Sequence, residues 1–100
     1  MRLAVSSNAM IEGFIEKKGS DGGWERCYCV LSGKYLYFYK DKDQNTTYDY
    51  FYLKSADVFE DEAKYQITVK GQNDQRVIKV LDLKSWAKAI RAKTIEILLE

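Results

Sequence analysis

WERCYCVLSGKYLYFYK, residues 24–40, is the stretch that speaks most plainly about structure. Aromatic and β-branched residues crowd Trp24–Leu31 and again Tyr35–Lys40, a composition that suits extended backbone. Ser32-Gly33 between the two runs is a tight-turn signal, so the stretch predicts a β-hairpin. Alternation puts Cys27 and Cys29 on one face of the first strand, with Cα atoms about 6.5–7 Å apart and parallel Cβ vectors. That separation does not suit a disulfide. No histidine and no further cysteine is present to complete a zinc site, so the pair reads as two small, half-buried thiols in a reducing compartment.

Working outward, Met10–Lys17 alternates around Gly13, Ile15 and Lys17, and Gly19–Gly23 (GSDGG) is a turn cluster. Asp41–Thr46 is a polar loop. Tyr48–Leu53 alternates strictly, with Tyr48, Tyr50 and Tyr52 on one side and Asp49, Phe51 and Leu53 on the other. Ala56–Glu60, Tyr65–Lys70 and Gln75–Val80 complete seven strands, the last two joined through Gly71–Asp74. Regular short strands of this kind predict a sandwich or barrel. After Asp82 the period changes. Leu83, Trp86, Ala87, Ile90, Ile97 and Leu98 fall on one helical stripe, with Asp82 placed as N-cap of a helix over about Leu83–Leu99. One amphipathic helix after seven strands predicts a plug for an open end of the β structure.

A chain of 100 residues is one domain. Residues 10–100 form it. Residues 1–9, MRLAVSSNA, read as a remnant of tag removal or a disordered terminus and stand outside the fold. No apolar run approaches the ~20 residues of a membrane span, and no secretory pattern opens the chain. Lys and Arg number 16 against 15 Asp and Glu, a balance that argues against nucleic acid as partner. No nucleophile–base pair, Gly-rich phosphate loop or carboxylate dyad supports catalysis. The acidic run Glu60–Glu62 lacks the spacing and glycine of a calcium loop, so no metal and no cofactor is expected.

The order of GFIEK (Gly13–Lys17), Trp24-x-Arg26 with Val30-Leu31, LYFY (Leu36–Tyr39) and WAKAI (Trp86–Ile90) resembles the pleckstrin homology (PH) domain over residues 11–99. The resemblance implies a mainly β fold: two orthogonal antiparallel sheets, of four and three strands, forming a seven-stranded barrel capped by the C-terminal helix. It also implies recognition rather than catalysis, either of phosphoinositide head groups or of proteins.

In the family's tight binders a Lys ends the first strand, and basic residues stand one and three places after the second-strand tryptophan. Lys17 fits the first requirement. Glu25 and Cys27 occupy the other two places, and Phe38 stands where the family often has a tyrosine. The segment Glu16–Arg26 carries three basic and three acidic residues, and Lys40–Asp49 two and three. Neither is an anion trap.

A second arrangement, similar to members that hold the head group outside the first loop, would use Lys18, Trp24 and Arg26, with Lys17 belonging to the inner pocket. Against it stands the plainer reading, in which Arg26 pairs with a surface acid and Trp24 shields a sheet corner. Tyr37, Tyr39, Tyr48, Tyr50 and Tyr52 would form a cross-strand ladder on the outer face, either as sheet packing or as a protein-contact surface. Two functions follow as expectations. One is a cytoplasmic, peripherally membrane-bound signalling module that binds anionic phospholipid or inositol phosphate weakly or at an atypical site. The other is a protein-interaction module that has lost the lipid pocket.

Overall fold

A computed structural model describes residues 9–43 and 47–100. Seven strands precede one helix: β1 (Ala9–Lys18), β2 (Trp24–Ser32), β3 (Tyr35–Tyr39), β4 (Asp49–Tyr52), β5 (Asp57–Asp61), β6 (Gln66–Lys70), β7 (Gln75–Lys79) and α1 (Leu83–Leu98). β1 opens at Ala9, and residues 1–8 of the segment set aside above lie outside the described residues, as do residues 44–46 of the polar loop. The β2–β3 hairpin turns at Gly33, whose φ of +62° is one that side-chain-bearing residues avoid.

All strand pairs are antiparallel, in the spatial order β4-β3-β2-β1-β7-β6-β5. The expected groups of four and three strands are therefore one hydrogen-bonded ribbon. β1 is the seam: it pairs with β2 along its length and with β7 through Glu16–Lys79 and Lys17–Ile78. The sheet is open between β4 and β5. Its inward residues, among them Ile15, Leu31, Phe38, Phe51, Leu53, Ile67 and Ile78, form one core. Cys27 and Cys29 face that core as free thiols and are fully buried rather than half-buried. Burial pushes both thiols above their ordinary pKa.

The helix closes the core as its period predicts. Leu83, Trp86, Ala87, Ile90 and Ile97 are buried, and the Trp86 indole packs across Gly13 of β1. Two details differ from expectation. Leu98 is exposed, and the buried stripe runs through Lys93 instead, whose stem is covered while Nζ reaches Glu96 at 3.3 Å. Asp82 occupies the N-cap position, and its carbonyl accepts the Trp86 N–H at 3.2 Å. Its side chain makes no capping hydrogen bond, because its backbone (φ −90°, ψ 61°) is outside the extended geometry that aims an N-cap oxygen at the first turn.

Candidate functional site

At the open end, β1 delivers Lys17 and Lys18 to the β1–β2 turn. That turn is closed by Gly19 N–H donating to Gly23 O (2.7 Å) and Gly23 N–H donating to Asp21 Oδ1 (2.9 Å). Alternation sends Lys17 inward, where Nζ donates to Asp49 Oδ2 at 2.9 Å. Arg76 of β7 grips the same carboxylate with two prongs, Nε at 2.8 Å and Nη2 at 3.0 Å, and pairs with Asp74 at 2.7 Å. Burial alone would raise the Asp49 carboxyl, but the bonds from Arg76 and Lys17 outweigh it and hold the pKa below the ordinary carboxylate value. Asp49 correspondingly raises the Arg76 guanidinium.

Glu25, at the start of β2, accepts the Tyr48 hydroxyl at 2.8 Å. Burial and that bond push the Tyr48 phenol well up. The cleft between these groups measures ≈ 710 Å³. Lys17, Lys18 and Arg76 line it, against Asp21, Glu25, Asp49 and Asp74. Its two inner cations, Lys17 and Arg76, are already neutralised from within, which leaves Lys18, at the rim shared with the outer side, as the cation of the cleft without an ion pair among the described residues.

The outer side differs. Lys18 and Trp24 face each other across β1 and β2, and Arg26 faces Glu16. Lys18 Nζ lies 6.0 Å from the Trp24 ring centre, and the Arg26 guanidinium stacks 4.0 Å above Phe14. Among the described residues, neither Lys18 nor Arg26 enters an ion pair. Arg26 thus does not take the surface acid offered to it in the plainer reading.

The family model described as PH domain matches residues 9–94. The chain belongs to the PH domain family. No curated protein matches it in a sequence search. Solved PH domains share its fold. The C-terminal PH domain of pleckstrin, in complex with D-myo-Ins(1,2,3,5,6)P5, is 16% identical with a TM-score of 0.78, over 86% of this chain and 95% of that one. The PH domain of the human KIAA0053 protein is 22% identical, with a TM-score of 0.75 over 87% and 89%. The Slm1 PH domain, in complex with inositol-4-phosphate, is 18% identical, with a TM-score of 0.74 over 87% and 97%.

As a PH domain, the chain departs from the tight-binding pattern at the places its sequence indicates. Glu25 lines the cleft, Cys27 is its buried neighbour along the strand, and Phe38 is wholly inside the core. Lys17 is present but held by Asp49. Asp49 and Arg76, which decide the cleft's electrostatics, were not among the expected site residues. A signal for Asp49 existed: strict alternation put it with Phe51 and Leu53, and an acid on an apolar face requires a cation. The tyrosine surface also needs correction. The ladder consists of Tyr35, Tyr37, Tyr50 and Tyr52, with Tyr35 stacked on Tyr52 at 4.9 Å. Tyr39 is 2% exposed because it packs with Tyr28 and Val30, and Tyr48 turns to Glu25.

Proposed function

We propose that this PH domain is a non-catalytic module for membrane recruitment in signalling. It holds phosphoinositide or other anionic phospholipid head groups weakly, on the outer side of the β1–β2 hairpin, through Lys18, Trp24 and Arg26. The observation that carries this reading is the contrast between the two sides of the hairpin. Inside, Lys17 and Arg76 are bound by Asp49. Outside, Lys18 and Arg26 have no carboxylate partner among the described residues. Lys and Arg recognise phosphate through charge-assisted hydrogen bonds, which need donors not already engaged. The inositol phosphate complexes of the pleckstrin and Slm1 PH domains support head-group chemistry on this fold. No helix among the described residues is long and apolar enough to cross a membrane, and on this reading the domain is a peripheral protein of the cytoplasmic face.

Exposed cations are screened over ~8 Å at physiological ionic strength, so association is salt-sensitive. The test is liposome co-sedimentation across phosphoinositides and phosphatidic acid, with a neutral-lipid control. Arg26→Ala weakens association and Lys17→Ala leaves it unchanged. Salt-independent, tight binding to one phosphoinositide that Lys17→Ala abolishes would overturn the reading. A protein-interaction role has one observation in its favour: Tyr50 and Tyr52 are exposed at 60% and 44% on the edge strand β4. Retention of a protein partner that Tyr50→Ser removes, with no lipid association at all, would establish that reading instead.

A further inference from the structure

We infer that the outer face of β1, β2 and β7, continued by Leu81, lies flat against an anionic bilayer, with Lys79 completing its polar part and Leu81 entering the membrane interface. The inference rests on the reading that Lys18, Trp24 and Arg26 meet head groups. Glu16 on β1 is the register partner of both Arg26 on β2 and Lys79 on β7, so all three side chains share the outer face. Lys79 Nζ stands 4.4 Å from the Trp24 ring centre, closer than Lys18. Lys79 also lacks an ion pair among the described residues.

Below the cations the same face opens into a groove of ≈ 490 Å³, bounded by Phe14, Arg26, Tyr65, Lys79 and Leu81 and floored by Trp86. Glu16 and Asp82 are its acidic members. Phe14, Tyr65 and Leu81 are exposed at 43%, 50% and 89%. Val80 turns into the core while Leu81, the next residue, stands almost wholly in solvent.

Cations, aromatic rings and an aliphatic side chain on one face are the composition of surfaces that bind at the head-group boundary. Around the groove the charges match an anionic surface: Lys18, Arg26 and Lys79 outnumber Glu16 and Asp82, while Glu12, farther along the same face of β1, accepts the Tyr28 hydroxyl. The small excess leaves the apolar residues to carry much of the association. Each group then has a place at the interface, with the ammonium and guanidinium groups at phosphates, Trp24 and Phe14 at head-group level, and Leu81 below them.

The test measures association of the intact chain with phosphatidylcholine vesicles carrying a phosphatidylinositol bisphosphate, beside titration with the soluble inositol phosphate. Leu81→Ser weakens vesicle association about five- to tenfold by removing a buried aliphatic group, and leaves the soluble titration unchanged. Lys79→Ala weakens vesicle association about fivefold, the contribution of one basic residue near an anionic surface. Leu98→Ser, at another exposed leucine at the far end of α1, has no effect. Vesicle association of Leu81→Ser equal to wild type, or an equal loss in Leu98→Ser, overturns the inference. So does a wild-type chain that binds the soluble head group but not vesicles. Failure of the head-group reading shows separately, as a soluble titration that Arg26→Ala does not change.

Discussion

Asp49→Asn separates stability from anion affinity at the open end and moves them in opposite directions. The Asp49 side chain is 20% exposed and accepts three charge-assisted hydrogen bonds, at 2.8, 2.9 and 3.0 Å. A bond of this kind is worth about 1.5–3 kcal/mol net, and the amide oxygen of Asn keeps one of the three, so the domain loses about 3–6 kcal/mol. For a domain of this size even the lower bound of that loss lowers the melting temperature by roughly 12–24 °C. The same change removes a negative charge from a cleft where a phosphate would sit about 5 Å away. At an effective dielectric near 20, that repulsion is about 3 kcal/mol before screening. Soluble inositol phosphate should therefore bind about ten- to a hundredfold more tightly at the cleft, as read by calorimetric titration. A variant that melts early but gains no affinity would show that the cleft's shape, and not the Asp49 charge, limits anion binding there. The carboxyl pKa is lower in the folded chain than in the unfolded one, so its stabilisation is complete above pH ~4 and fades as pH falls through the native value. Asp49→Asn removes that component of acid destabilisation, which denaturant titrations across pH check.

Trp86→Ala empties the plug and costs about 3–5 kcal/mol, read from urea denaturation; an unchanged midpoint would contradict the capping role. Glu25→Lys reverses a charge at the cleft mouth and releases Tyr48, and it raises inositol phosphate affinity by a few-fold in the same titration. Cys27 and Cys29, buried with raised thiol pKa, react with an aromatic disulfide reagent at neutral pH only as fast as the domain unfolds, followed by absorbance with and without denaturant.

Elements and faces were readable in the chain because both are local properties. Alternation placed Asp49 inside and Trp24 and Arg26 outside, and the period change at Asp82 marked the helix. Partner choice was not readable. Asp49 meets Arg76 across 27 residues and Lys17 across 32, and alternation names a side chain's face without naming its neighbour. Lys93 was passed over because its charge hides a long aliphatic stem, and Leu98 was included because helical periodicity does not say where the β surface ends. Tyr39 and Tyr35 exchanged roles for the same reason. Both lie on the outer side of β3, but only the former packs with Tyr28 and Val30.

On the proposed reading, head groups meet the outer side of the β1–β2 hairpin and not the cleft that Asp49 neutralises. Its most direct test is a titration of the isotope-labelled domain with a soluble inositol phosphate, following amide and indole N–H resonances. Shifts centred on Lys18, Trp24 and Arg26, including the Trp24 indole, are expected, with Asp49 and Arg76 little changed. Shifts centred on Lys17, Glu25, Asp49 and Arg76 would contradict it.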